Sequence, residues 1–275
     1  IMDLSLIKQK LAASQNKGQK REKTDYTKIF WKPKPGKYQV RILPSKFDKS
    51  NPFREVYFHY GFAKGPILAL SNWGEKDPIV EFAKNLRKSS DKEDWQLAKK
   101  IEPKLRYFAP VLVRGEEEKG ARLWEFGKLI YEQLLGIASD EDYGDYTDIT
   151  DGRDFTIEAV EDIVANRKGI KCNIRVKPKT SPISEDGSLV NKVLEEQPDI
   201  LTINKHYQFD ELKELLDKWL NPEDETDTET PIASKDEDEE EDEFIADMNK
   251  PVETYKLDTS ATKSSNSDKF DDLFN

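Results

Sequence analysis

The chain has 275 residues, 36% hydrophobic and 36% charged, enough to bury one core of domain size while leaving much sequence outside it. A single cysteine, Cys172, excludes an intrachain disulfide framework and a cysteine-rich metal site. No run approaches ~18 consecutive apolar residues, so the expectation is a soluble, unexported protein of a reducing cytosol.

The net charge of -11 is unevenly spread. Residues 1–37 carry 10 basic and 3 acidic residues, whereas 221–275 carry 5 basic and 19 acidic ones, so a basic arm faces an acidic tail across a nearly neutral body. That opposition points to a polyanionic ligand and an internal competitor for it.

In Asp3–Ala13, Leu4, Ile7 and Leu11 fall at helical spacing, and a polar, lysine-rich stretch to Asp25 follows. The reading is a short helix and a flexible basic arm. Tyr38–Leu43 alternates, with Tyr38, Val40 and Ile42 on one face, until Pro44 ends it, which predicts a half-buried strand. Arg54–Phe62 predicts a second strand.

Asp77-Pro78 places an N-cap before a proline at the first helical position, so a helix through about Arg87 is expected. Leu105–Arg114 and Arg122–Phe126, joined by the polar turn Gly115–Gly120, predict a hairpin that runs into a helix over Lys128–Ile137. Phe155–Val160 and Ile170–Lys177 predict another hairpin. Phe209, Leu212, Leu215, Leu216 and Trp219 form one stripe of a helix over Gln208–Leu220. Beyond Pro222 the chain is too acidic and too poor in apolar residues to repay its ordering entropy, so disorder is expected. Short strands with a few helices predict an α+β fold, mainly β, or a small barrel.

Aromatic residues interleave with basic ones at Phe30-Trp31-Lys32, Arg54–Phe62, Lys104-Leu105-Arg106-Tyr107-Phe108 and Trp124-Glu125-Phe126-Gly127-Lys128. Single-stranded nucleic acid needs both kinds of group: bases stack on rings at roughly 1–3 kcal/mol each, and Lys and Arg neutralise phosphates. Strand alternation alone would bury about half of these rings. Enzyme readings fare worse. No glycine-rich phosphate loop or nucleophile elbow occurs, and only His59 and His206 supply imidazoles. Asp140, Glu141, Asp142 and Asp145 read as a loop of solvated acids, and Cys172 as a small strand residue.

Several of these stretches together resemble a known family, the helix-destabilising single-stranded DNA-binding proteins of T-even-like phages, the gene 32 products. The resemblance lies in Val40-Arg41-Ile42-Leu43-Pro44-Ser45-Lys46, His59-Tyr60-Gly61-Phe62, Arg106-Tyr107-Phe108 with Val111-Leu112-Val113, Trp124-Glu125-Phe126-Gly127-Lys128, and the tip Asp271-Asp272-Leu273-Phe274. It implies an OB-fold-like core over residues 25–225 with a small inserted subdomain at about 57–100. It also implies a basic arm over 1–24 for cooperative self-association through Lys20, Arg21 and Lys23, and an acidic tail over 226–275. Single-stranded DNA would be bound by Arg41, Lys46, Tyr57, Tyr60, Lys104, Arg106, Tyr107, Phe108, Arg114, Trp124, Phe126 and Lys128. Which of Tyr107 and Phe108 faces DNA stays open at this point, because neighbours on a strand point opposite ways.

The resemblance further implies partners in replication and recombination, bound through Phe270, Asp271, Asp272, Leu273 and Phe274, no membrane, and a place in the cytoplasm of an infected host cell. One departure stands out. The family's structural zinc is held by a His and three Cys, and here His59 alone remains, with Asp77-Pro78-Ile79-Val80 where a Cys pair should be. No zinc and no other cofactor is therefore expected, with Trp73, Ile79, Val80 and Phe82 packing in the metal's place. Two rival readings are an RNA-binding or translational-control protein using the same groove, and a metal-dependent nuclease built on the acidic loops.

Overall fold

A computed structural model describes residues 26–164, 167–221, 269–270 and 272–274. The expected helix over Asp3–Ala13, the arm residues Lys20, Arg21 and Lys23, the acidic stretch 226–268 and Asp271 lie outside the described residues.

The fold is α+β and mainly β. In chain order it comprises α1 (Tyr26–Ile29), β1 (Phe30–Trp31), β2 (Gly36–Ile42), β3 (Arg54–His59), β4 (Ile67–Leu68), α2 (Pro78–Leu86), α3 (Lys92–Ile101) and β5 (Lys104–Val113). There follow β6 (Arg122–Phe126), α4 (Lys128–Ala138), β7 (Arg153–Val164), β8 (Arg167–Thr180), α5 (Gly187–Glu195), α6 (Ile200–Ile203) and α7 (Phe209–Leu220). The strands form one mixed sheet in the order β1-β6-β5-β2-β7-β8, with β3 on β5 and β4 on β3. Among the described residues, only β1 and β6 pair in parallel. The long β5 is the organiser: its first half pairs with β3, its second half with β2, and its other edge with β6.

The principal core lies on one face of this sheet. Val40, Ile42, Tyr107, Ala109, Val111, Trp124, Phe126, Phe155 and Ile157 meet there, closed by Leu134 of α4 and by Tyr146. The period-two alternation of β2 and β5 produces this face directly. A second core gathers away from the sheet, where α2, α3 and α7 bring together Ile79, Phe82, Leu86, Ala98, Ile101, Leu216 and Leu220. Asp77 caps α2 as the sequence predicts: its Oδ1 accepts from the amides of Ile79 (3.0 Å) and Val80 (3.2 Å), with Pro78 at the first helical turn.

Candidate nucleic-acid interface

The opposite face of the β1-β6-β5-β3 sector carries a different set of side chains. Register pairs Phe30 with Leu123, Phe108 with Glu125 and with Arg54, and Arg106 with Val56, so these residues share one face. Their neighbours Trp31, Trp124 and Tyr107 point into the principal core. The outer face is in part covered by Ile200, Leu201 and Ile203 of α6 and its surroundings, which pack on Val56, Phe58, Phe108 and Leu123. What remains uncovered, together with the β1 edge of the sheet, where Trp31, Tyr38 and Arg122 reach round from the core side, is a cleft.

The cleft encloses about 730 Å³. Its aromatic lining is Tyr26, Phe30, Trp31, Tyr38, Phe58, Tyr60 and Phe108, and its cations are Lys32, Lys34, Lys119 and Arg122. Tyr26 stacks on Phe30 with ring centroids 6.3 Å apart, Phe30 meets Phe108 at 6.4 Å, Phe108 meets Phe58 at 6.0 Å and Phe58 meets Tyr60 at 6.3 Å, forming a continuous line of rings. Phe58 and Phe108 are buried and form the floor, whereas Tyr26, Phe30, Tyr38 and Tyr60 keep exposed ring surface. Glu116 sits among the cations, pairing with Lys119 (3.0 Å) and accepting from Arg122 (2.6 Å); these contacts, Lys119 foremost, hold its carboxyl below the usual range. Lys32 and Lys34 are exposed beside the rings.

A family model described as gp32 DNA binding protein like matches residues 34–221. The chain belongs to this gp32-like DNA-binding family. The match spans every strand from β2 to β8, and no curated protein matches the chain. Tyr26, Phe30, Trp31 and Lys32 of the cleft precede the matched span.

Of the residues that the resemblance implies for DNA binding, this gp32-like fold brings Tyr60 and Phe108 to the cleft. Arg106 lies beneath it, 3.8 Å from the cleft residue Glu125. Tyr107, Trp124 and Phe126 are instead core residues: Tyr107 stacks on Tyr131 at 4.0 Å, and Phe126 lies 4.8 Å from Trp124. Desolvation, with the hydrogen bond to Glu55, pushes the Tyr131 phenol up to about 12. Tyr57 is exposed on the far side of β3 from Phe58, Lys104 reaches the carbonyl of Lys99, and Lys128 opens α4 beside Glu132 (3.9 Å). Lys46 donates to the Glu195 carbonyl.

Arg41 and Arg114 are not cleft residues. Arg41 is fully buried on β2, its Nε donating to Asp154 Oδ1 (2.9 Å) and its Nη2 to the Ser181 carbonyl (2.7 Å). Arg114 grips the same carboxylate through Nε (3.0 Å) and Nη2 (2.9 Å). Burial works to raise the Asp154 pKa, but Arg114 and Arg41 outweigh it and hold the carboxyl below its ordinary value. Sequence alone cannot separate such a structural arginine from a phosphate-binding one, because both sit on strands beside apolar residues.

Conversely, Tyr26, Phe30, Tyr38, Phe58, Lys32, Lys34, Lys119 and Arg122 enter the site by folding. Two sequence signals touch this set, Phe30-Trp31-Lys32 and the Arg54–Phe62 run that contains Phe58, and alternation assigns Phe30 to the cleft. Lys119 and Arg122 come from the hairpin turn and the strand after it.

The zinc that the resemblance implies finds no suitable donor set. His59 is fully buried with its Nε2 2.9 Å from Asp77 Oδ2, and the same oxygen accepts from the Leu70 amide (2.8 Å). Asp77 thus spends both oxygens on the backbone and on His59. Among the described residues, no group of three or more His, Cys, Asp or Glu is placed to hold a metal ion. The residues do not fit a four-ligand structural zinc. Trp73 stacks on His206 at 3.9 Å, while Ile79 and Phe82 join the second core.

Proposed function

We propose that this gp32-like protein binds single-stranded DNA with little sequence preference, during phage replication, recombination and repair. The observation that carries the reading is the line of rings from Tyr26 to Tyr60 in a cleft edged by Lys32 and Lys34. Rings in a cleft reach only bases splayed out of a duplex, and every base offers a face to stack. The lysines beside them meet the phosphates, releasing counterions and making affinity salt-dependent. No base-edge reader is required.

In this reading the N-terminal segment 1–24, through Lys20, Arg21 and Lys23, joins neighbouring protomers along the strand. Residues 226–275 compete with DNA for the basic surface and offer partner proteins an acidic, aromatic tip. The His59–Asp77 contact and the packing of Ile79 and Phe82 take over the organising role of a metal, so the protein works without zinc.

The test is a salt titration of binding to homopolymer single strands, with a duplex and a matched RNA oligomer as controls. Tight, salt-sensitive binding to single-stranded DNA and weak binding to duplex is the expected result. Equal or stronger affinity for the RNA would favour an RNA-binding role for the same cleft, and indifference to strandedness would overturn stacking as its basis.

A further inference from the structure

The last residues of the chain are not held where the DNA cleft is. Lys269–Phe270 and Asp272–Phe274 are helical and lie against the second core. Phe270 is 3% exposed, packed among Ile79, Phe82, Ala83, Leu86, Ala98, Ile101, Leu216 and Leu220. Four residues on, Phe274 lies on the same side, with its ring 5.0 Å from Phe270 and 6.1 Å from Phe209. The two outward residues, Asp272 and Leu273, are exposed.

Polar contacts fix the direction in which this short segment lies. Lys269 Nζ donates to both oxygens of Asp94 on α3, each at 2.6 Å, and Asp94 is itself buried. At the other end Lys213 Nζ on α7 donates to the Phe274 carbonyl at 3.0 Å and lies 5.5 Å from the Phe274 ring. The groove therefore presents an apolar trough with an acid at one end and a base at the other. Lys269, the two phenylalanines and the Phe274 carbonyl complement it in that order. None of these groove residues lines the DNA cleft.

We propose that the trough between α2, α3 and α7 is a peptide-binding site whose ligand is the chain's own C-terminal tip, taken in cis. The tip's two aromatic anchors are thereby withheld from other proteins until it is released. Residues 222–268 join the tip to α7 within the same chain. Such a tether gives the tip an effective concentration near millimolar at the trough, enough for a modest contact to stay mostly closed yet open readily. With the tip seated, the acidic segment is fastened to the body at both ends. A protein that captures Phe270 and Phe274 must compete with the trough, and its success frees one end.

The experiment uses the full-length chain and a fluorescent peptide of the last ten residues, Asn266–Asn275. In Phe270→Ala the resident tip is weakened and the trough vacated, so the peptide is expected to bind that variant about tenfold or more tighter than the unaltered chain. Adding Asp94→Asn to Phe270→Ala should weaken peptide binding again, because Lys269 of the peptide loses its partner. Hydrogen exchange at 269–274 in the unaltered chain should be slower than in the free peptide, and Phe270→Ala should abolish the difference. Equal peptide affinity for both chains, or exchange at the free-peptide rate in the unaltered chain, would overturn the proposal. So would a concentration-dependent dimer dispersed by Phe270→Ala, since the occupant would then be a second copy.

Discussion

Tyr107 and Phe108, adjacent on β5, belong to opposite faces of the sheet: the Tyr107 ring stacks at 4.0 Å on Tyr131 in the principal core, while Phe108 lies against Phe30 and Phe58 in the floor of the cleft. The consequences of truncating aromatics therefore separate by face. Tyr107→Ala should cost about 3–5 kcal/mol of stability and leave the DNA affinity of the folded protein unchanged. Tyr60→Ala, at the open end of the line of rings, should do the reverse, weakening single-strand binding by about 1–3 kcal/mol with little change in melting temperature. Thermal melts paired with binding isotherms decide the matter, and a binding loss in Tyr107→Ala at full folding would reverse the assignment of faces.

The His59–Asp77 contact should carry much of the stability of the region around α2. Asp77→Ala removes a helix cap and strands the buried His59 ring and the Leu70 amide, a loss of roughly 2–4 kcal/mol. Burial pushes the Asp77 carboxyl up, yet the His59 contact and the backbone amides win, so its pKa lies below the ordinary carboxylate value. A depressed carboxyl pKa stabilises the fold at pH above the unfolded value, and that contribution fades as pH falls from there through the native pKa. Urea unfolding over the acid range should therefore show a shallower fall for Asp77→Asn than for the unaltered protein. A chelator should leave the melting temperature of the purified protein unchanged, and one tightly held zinc per chain by elemental analysis would refute the metal-free reading.

Asp154 neutralises two arginines at once, Arg41 and Arg114. Removing the carboxylate leaves the fully buried Arg41 without its counter-ion, so Asp154→Ala is expected to cost about 3–5 kcal/mol. Arg114→Ala should be milder because Arg41 keeps its partner. Denaturant midpoints of the two variants test this order. If Asp154→Ala were as stable as the unaltered protein, the network would be incidental to the fold.

Much of the sheet was legible because alternation is local: that Val40 and Ile42 share one face and Arg41 lies on the other follows from period two alone. The cap at Asp77 and the stripe on α7 were legible for the same reason. The assembly of the cleft was not. Phe30 reaches Phe108 only because β1 pairs in parallel with β6, and Lys119 reaches the same site through a turn that composition marks merely as polar. Arg41 misleads in the opposite direction, since its partner Asp154 lies 113 residues away and nothing near it in sequence announces a buried ion pair. The helix α3 escapes a simple periodic reading because Trp95 lies exposed beneath Arg87 while the short Ala98 is buried.

Lys32 and Lys34 stand exposed beside the ring line, whereas Lys46 is exposed in a loop and donates to the Glu195 carbonyl. For single strands the logarithm of affinity falls with the logarithm of salt by about 0.7 per neutralised phosphate. Lys32→Ala and Lys34→Ala should each reduce the slope by about that amount. Lys46→Ala should leave it unaltered. Affinities measured over a salt series separate the three, and an unchanged slope in the Lys32→Ala, Lys34→Ala double variant would move the phosphate path elsewhere.

The acidic tail supplies the final test, because its effect on DNA binding depends on salt in a way that a merely solubilising tail would not. From 221 to 275 the chain holds 19 acidic and 5 basic residues, and Phe270, near the end of that stretch, is buried in its trough. Under the proposed competition of this charge with phosphate for Lys32, Lys34 and their neighbours, both contacts are ionic, so added salt would screen the tail as well as the DNA. Truncation at Asp224 should therefore strengthen single-strand binding most at low salt, and the gain should shrink as salt rises. Phe270→Ala keeps every acid but loosens one tether, so its gain should be smaller than that of truncation. Binding isotherms of the three chains across a salt series test this ranking. Identical curves at every salt concentration would show that the tail never meets the cleft, and an equal gain in both variants would make the seated tip, rather than the charge it holds, the inhibitory element.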